Sequence, residues 1–171
     1  MKSLQRIIND IQTEIVNTGL EYSINRGGCG VFAYYLSLAL TRHNIPHEIR
    51  ANRAWDEDWE GSKLEKTKAI LAGEMEGVNY LPQGEGINWR KSQRNTYIGH
   101  SCSHCMVYIP DLEQCVDGEE YRDEDWGDYE YTLEELRLAV STPNGWNNTF
   151  HRSNIPLVRR IINRNFLAYA G

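Results

Sequence analysis

The segment from Cys29 to Arg42 constrains the fold of this 171-residue chain most strongly, because it contains the best candidate for a continuous apolar run. A membrane span needs about 18 consecutive apolar residues, and this run is shorter and is interrupted by Tyr34, Tyr35 and Ser37. Its apolar side chains recur at the three- and four-residue spacing of a helix, and Asn44-Ile45-Pro46 ends the pattern. We therefore predict a largely buried helix over 29–42 in a protein that does not span a membrane.

Helices are also predicted at both ends of the chain. The first begins after a capping Ser3 and stops at Gly19, since its apolar residues lie on one helical face: Leu4, Ile7, Ile8, Ile11 and Ile15. A helix over 63–71 is followed by a long irregular segment over 73–99, which is rich in glycine. Two more helices are predicted, one from Thr132 to about Val140 and one after a capping Asn154.

The middle of the chain carries the strand signals. A short alternating segment over 47–52 predicts one strand, and the segments 105–109 and 114–117 predict a hairpin around Pro110-Asp111. The predicted elements follow the order helices, strands, helices, which is typical of an α+β fold. At roughly 150 residues per domain, we expect one domain over 1–171.

Composition places the chain among ordinary globular proteins, with 40% hydrophobic and 25% charged residues. The N-terminal residues include Asn9 and Asp10 where a secretory signal would have a continuous apolar region, so a cytoplasmic location is expected.

The net charge of -6 is unevenly distributed. Eight carboxylates lie between Asp117 and Glu130, whereas 136–171 contains five arginines and no acid. We expect the acidic run to be a solvated loop and the arginines to coat a surface helix. Scattered arginines in an acidic chain do not predict nucleic-acid binding.

A glycine-flanked cysteine, Cys29, lies at the start of the predicted buried helix. The positive end of the helix dipole lowers the pKa of a thiol there and favours the nucleophilic thiolate. His104 opens the first hairpin strand and Asp117 ends the second, so antiparallel pairing predicts that they lie side by side. A carboxylate could then orient an imidazole that deprotonates the thiol. Alternatively, Cys29 is a small buried hydrophobe, His104 a strand-end histidine and Asp117 a turn residue.

A zinc site is the competing interpretation of the same region. His100, Cys102, His104 and Cys105 supply four potential ligands in six residues, with Cys115 nearby. Structural zinc sites usually draw two ligand pairs from separated segments, and no second pair is evident. Strand alternation is also expected to send His104 and Cys105 to opposite faces. We therefore predict that no metal or other cofactor is bound.

The predicted elements place a cysteine at a helix N-terminus, followed by a histidine and an aspartate on successive strands. This order resembles that of the papain-like cysteine peptidase superfamily, especially its transglutaminase-like branch. The motif residues Gly27-Gly28-Cys29 and Ala33 match that branch, and 45–49 resembles its helix-to-strand link. Arg26 to Cys29 is also similar to arylamine N-acetyltransferases. The resemblance implies a core in which the nucleophile helix packs on a small antiparallel sheet.

The resemblance further implies a catalytic triad of Cys29, His104 and Asp117 and an acyl-enzyme on the cysteine. The glutamine that serves papain as oxyanion donor is absent, and Asn25 is the expected substitute. Hydrolysis of peptide, isopeptide or other amide bonds is expected, with acyl transfer to an amine as the alternative. The acidic run beyond Asp117 predicts a preference for basic peptide or protein substrates. A non-catalytic protein-binding module of the same fold is the alternative from another class.

Overall fold

A computed structural model describes the helices and strands that surround the residues of interest. The described residues are 2–21, 24, 28–53, 102–119, 121–122, 124, 126–127, 129–134, 136–137 and 154–169. Within them the chain forms three long helices, α1 (Leu4–Asn17), α2 (Cys29–Arg42) and α3 (Asn154–Phe166). Five strands complete the fold: β1 (Glu48–Arg53), β2 (Cys102–Ile109), β3 (Gln114–Val116), β4 (Tyr121–Arg122) and β5 (Tyr129–Tyr131).

The N-terminal helix α1 forms as its sequence predicts. The Ser3 hydroxyl accepts a hydrogen bond from the Arg6 N–H at 3.4 Å, which satisfies one of the unpaired donors of the first turn. The helix ends just before Gly19, whose φ of +70° continues no α-helix. Its buried face consists of the apolar side chains and one glutamine: Leu4, Ile7, Ile8, Ile11, Gln12 and Ile15.

Helix α2 is the buried helix that the apolar segment predicts, with the predicted bounds. Phe32, Leu36 and Leu40 are each at most 1% exposed. The helix packs against strand β2 on one side and helix α3 on another, while α1 also packs on α3. At its end Asn44 adopts a left-handed φ of 55°, which turns the chain toward strand β1.

The strands form one antiparallel sheet in the order β4-β3-β2-β1-β5. The predicted hairpin is present, since Val107 pairs with Val116 and Ile109 with Gln114 across a short 3₁₀ turn at Pro110–Leu112. The sheet and the three helices confirm the α+β class.

Two predictions for this part of the chain were wrong. Strand β2 begins at Cys102, so His104 lies inside it and does not open it. The acidic run is not simply a solvated loop, because it contains strand β4 and part of β5, and because Asp117 is 1% exposed. The Arg50 side chain also ties the run to the sheet by donating to the carbonyl of Glu124.

Several other predictions concern residues at the edge of the described part of the chain. The helix predicted from Thr132 has helical residues at Leu133, Glu134, Leu136 and Arg137, and its end lies outside the described residues. The predicted helix over 63–71 and the irregular segment over 73–99 lie wholly outside them. The arginines of α3 that are described, Arg159, Arg160 and Arg164, are exposed. Among the described helices, none is long and apolar enough to cross a membrane.

Candidate active site

Cys29 is the first residue of α2, and its side chain is buried at the junction between this helix and the sheet. The residue is 2% exposed, and it is a reduced thiol. No side chain caps the helix, because its N-cap residue is Gly28. The sulfur therefore lies at the positive end of the helix dipole, which favours its ionised form.

His104 and Asp117 form a direct ion-pairing contact across strands β2 and β3. The imidazole Nε2 lies 2.7 Å from Oδ2 of the carboxylate. The other carboxylate oxygen, Oδ1, accepts the N–H of Glu119 at 2.8 Å. The carbonyl of Asp117 accepts a hydrogen bond from Nε2 of Gln12 in α1 at 3.1 Å. Three contacts therefore hold the backbone and the carboxylate of Asp117. They fix the carboxylate on the Nε2 side of the imidazole.

The same imidazole also acts on Cys29, since hydrogen bonding and charge between the two groups lower the pKa of the thiol and raise the pKa of the imidazole. Since Nε2 is engaged by Asp117, the nitrogen left for the sulfur is Nδ1. The structure therefore places a thiol, an imidazole and a carboxylate in series, in the order in which a base-activated nucleophile requires them.

Strand β2 has a bulge beside His104. Cys105 pairs with Ala51 of β1, and Cys102 pairs with Arg53, so two residues of β2 lie opposite the single residue Asn52. A bulge of this kind redirects side chains and interrupts the ladder of backbone hydrogen bonds. The regular alternation of side chains, on which the expectation for His104 and Cys105 depends, is therefore interrupted between Cys102 and Cys105.

These contacts set the charges of the site. The hydrogen bond from Cys105 lowers the pKa of Cys29 well below its ordinary value; burial opposes this, and the hydrogen bond and positive charge of His104 reinforce it. Burial alone would lower the pKa of His104, but its hydrogen bonds to Asp117 and Cys29 outweigh burial and raise that pKa to about 10. Both shifts favour the ion pair, a thiolate beside an imidazolium.

Trp126 packs edge-on against the imidazole. The two ring centroids are 5.8 Å apart and the planes are inclined by 82°. The carbonyl of Trp126 accepts the S–H of Cys115 at 3.8 Å, and the next residue, Gly127, has a φ of +90°. The aromatic edge partly shields the histidine, whose side chain is 24% exposed. The chain has five tryptophans, and the sequence offered no signal that singled out this one.

Some predicted site residues cannot be placed. Asn25, the expected oxyanion donor, and His100, one of the four possible zinc ligands, lie outside the described residues. Within the described part of the chain, no group of three or more histidine, cysteine or acidic residues could hold a metal ion.

Comparisons of the chain with protein-family models, with curated proteins and with solved structures find no match. The resemblance to papain-like and transglutaminase-like enzymes therefore remains a prediction that depends on the arrangement of a few residues.

Proposed function

We propose that this protein is a cysteine-nucleophile hydrolase that cleaves amide, peptide or isopeptide bonds through an acyl-enzyme. The observation that carries the proposal is the position of His104, whose Nε2 lies 2.7 Å from the Asp117 carboxylate and whose charge lowers the pKa of Cys29. A nucleophile, its base and the group that orients the base form a recognised functional unit when they are linked in this order.

The mechanism follows from the charges of these three groups. The Cys29 thiolate attacks the carbonyl carbon of the substrate, and the tetrahedral intermediate collapses as the His104 imidazolium gives its proton to the leaving amine. The neutral imidazole then takes a proton from water, and the hydroxide attacks the thioester to release the acid. Asp117 stabilises each imidazolium and keeps Nε2 turned toward itself, so that Nδ1 serves the reacting atoms.

The arrangement of elements is consistent with a papain-like or transglutaminase-like core. The nucleophile lies at the N-terminus of a buried helix, and the helix packs on the strand that carries the histidine. The carboxylate follows the neighbouring antiparallel strand. Reduced thiols at Cys29, Cys105 and Cys115 are compatible with the cytoplasm, where we place the protein.

The proposal is tested by limiting alkylation with iodoacetamide, followed by peptide mapping. We expect Cys29 to be modified first near neutral pH, because it lies at a helix N-terminus and the positive charge of His104 lowers the pKa of its thiol. Equal modification of Cys29, Cys105 and Cys115 in the folded protein would falsify the proposal.

Incubation with a mixture of unmodified peptides, analysed by mass spectrometry, then tests for turnover. The wild-type protein is expected to produce cleaved or amine-transferred products. Cys29→Ala should produce neither, while Cys115→Ala, which alters a buried strand cysteine outside the proposed triad, should retain activity. Water-derived products identify a hydrolase, and amine adducts identify an acyltransferase of the same site.

A further inference from the structure

Helix α1 buries one polar side chain among its apolar ones, that of Gln12, which is 7% exposed. Burying an amide costs free energy unless hydrogen bonds replace its hydration. The Nε2 of Gln12 donates to the backbone carbonyl of Asp117 at 3.1 Å, and the two residues are 105 positions apart in the sequence. The amide therefore makes a specific long-range contact that an apolar side chain of similar length would not provide.

The pairing of β2 with β3 does not by itself place the Asp117 carboxylate beside His104. The ladder reaches the pair Val107 and Val116, so Asp117 follows it directly and His104 lies three residues beyond it. Nevertheless, Nε2 of His104 and Oδ2 of Asp117 are 2.7 Å apart. A charge-assisted hydrogen bond of this length depends closely on distance and angle. Contacts outside the ladder must therefore hold the backbone of Asp117.

Helix α1 supplies such contacts from neighbouring positions of its buried face. Gln12 holds the carbonyl of Asp117. Ile15, three residues further along α1, lies against the next residue of the strand end, Gly118. A Cβ on Gly118 would lie 3.4 Å from Cγ2 of Ile15 and 2.9 Å from Cδ1 of Ile24, so the backbone packs closely on these two side chains. The chain beyond β3 is therefore held against α1, with the Gln12 amide as the polar contact.

We propose that Gln12 is a positioning residue for the triad, because its amide holds the backbone of Asp117 so that the carboxylate stays within hydrogen-bond distance of His104. The inference rests on the proposed function and adds to it a residue of α1, a helix that contributes none of the three triad groups. The Asp117 hydrogen bond raises the pKa of His104, and the positive charge of His104 lowers the pKa of Cys29. Both effects should weaken when the Gln12 contact is lost.

The test is the pH profile of Cys29 alkylation by iodoacetamide in variants of α1, measured by peptide mapping. Gln12→Met keeps the length of the side chain and removes the donor. We expect the midpoint to move upward by about half a pH unit, which means about threefold slower alkylation below the wild-type midpoint. Gln5→Met is the matched control, because Gln5 donates from the same helix to Asn9 and to the hydroxyl of Tyr121. Its profile should coincide with that of the wild type.

A double substitution shows whether Gln12 acts through Asp117. Since Asp117→Asn already removes the charge, adding Gln12→Met should slow alkylation no further. Slowing by the same factor with and without Asp117→Asn would overturn the proposal. A Gln12→Met profile that coincides with the wild type, or a Gln5→Met profile that shifts equally, would also overturn it. If urea unfolding shows that Gln12→Met does not fold, Gln12→Leu compared with Gln5→Leu takes its place.

The outcomes separate this inference from the proposed function. If wild-type Cys29 reacts no faster than Cys115, the proposed function fails. NMR titration of the His104 imidazole then still tests Gln12, because it requires no reactive thiol. The pKa of His104 should be lower in Gln12→Met than in Gln5→Met, and equal values would overturn the role of Gln12. If Cys29 reacts rapidly and Gln12→Met changes neither measurement, the nucleophile assignment stands without a positioning role for Gln12.

Discussion

Asp117 is the residue on which the charges of the site depend most directly. It is 1% exposed, and each of its carboxylate oxygens has a partner, His104 on one side and the N–H of Glu119 on the other. A buried carboxylate with hydrogen bonds of this kind acts on its neighbour at short range and with little screening. Its charge therefore supports the protonated state of His104, and through it the thiolate of Cys29.

Replacing Asp117 by asparagine keeps the shape of the side chain and removes the charge. The pKa of His104 should fall, because the Asp117 hydrogen bond is the largest contribution that raises it. With less imidazolium present, we expect iodoacetamide to alkylate Cys29 at least about tenfold more slowly at about pH 6. The control is Asp111→Asn, which alters an exposed aspartate in the turn of the same hairpin. Equal alkylation rates for Asp117→Asn and wild type would contradict this role of the charge.

The sequence predicted some site residues and missed others for physical reasons. Cys29 was identifiable because glycines and an apolar helix surround it, and His104 and Asp117 because hairpin pairing brings their positions together. The bulge in β2 was not predicted, because no residue type marks it. Trp126 was missed because its contact with His104 depends on how a segment without regular periodicity returns to the sheet.

At the level of elements, predictions were accurate where a segment carries a periodic apolar pattern and inaccurate where a segment is too short to have one. The three long helices each carry several apolar residues at helical spacing, so their burial could be predicted from the sequence. Strands β4 and β5 contain two and three residues and lie among carboxylates. A segment so short has no measurable periodicity, and its pairing depends on the strands beside it.

Gly127 lies close to strand β1, next to Trp126. Its φ is +90°, and a Cβ there would lie 3.0 Å from Cβ of Arg50 and 3.3 Å from the N of Ala51. Both the backbone conformation and the space at this position therefore favour glycine.

We expect Gly127→Ala to lower the unfolding free energy by about 1–3 kcal/mol. Gly19→Ala is the matched control, because Gly19 also has a positive φ, of +70°, but no atom lies within 4 Å of the Cβ position. It should therefore lose only the backbone contribution, about 1 kcal/mol. Urea unfolding of both variants gives the comparison. A loss at Gly127 no larger than that at Gly19 would show that the contact with β1 relaxes without cost.

At the scale of the whole molecule, the helices and the sheet support the site jointly. Helix α1 supplies Gln12 to the carbonyl of Asp117, and α1 is itself joined to α3 by contacts of Glu14 with Arg164 and Asn165. The backbone of Lys2 also bridges to the end of the described chain at Ala168. Folding of the terminal helices and formation of the ion pair are therefore coupled, and the protonation of the pair should be detectable in global stability.

Cys29 and His104 should contribute to stability with opposite dependence on pH. The pKa of His104 is raised from 6.5 to about 10, so its contribution is complete below 6.5 and is lost as the pH rises through 10. The pKa of Cys29 is lowered from 9.0, so its contribution is present above 9.0 and is lost as the pH falls through the lowered value. Between the ordinary values of 6.5 and 9.0, the stability contributed by His104 falls as the pH rises, whereas the lowered pKa of Cys29 acts in the opposite direction. The two dependences therefore oppose each other.

Cys29→Ser removes the pH dependence of stability that Cys29 contributes. The dependence contributed by His104 should then become measurable. Serine does not ionise, while Asp117 still holds a proton on His104 in the folded state, so the folded variant binds one proton more than the unfolded chain. Its unfolding free energy, relative to that of the wild type, should then fall by about 1.4 kcal/mol per pH unit between about pH 7 and pH 8. Urea unfolding at several pH values measures the difference, with Cys115→Ser as the control whose difference from wild type should not change with pH. Parallel stability curves for Cys29→Ser and wild type would show that Cys29 and His104 do not form an ion pair in the folded protein.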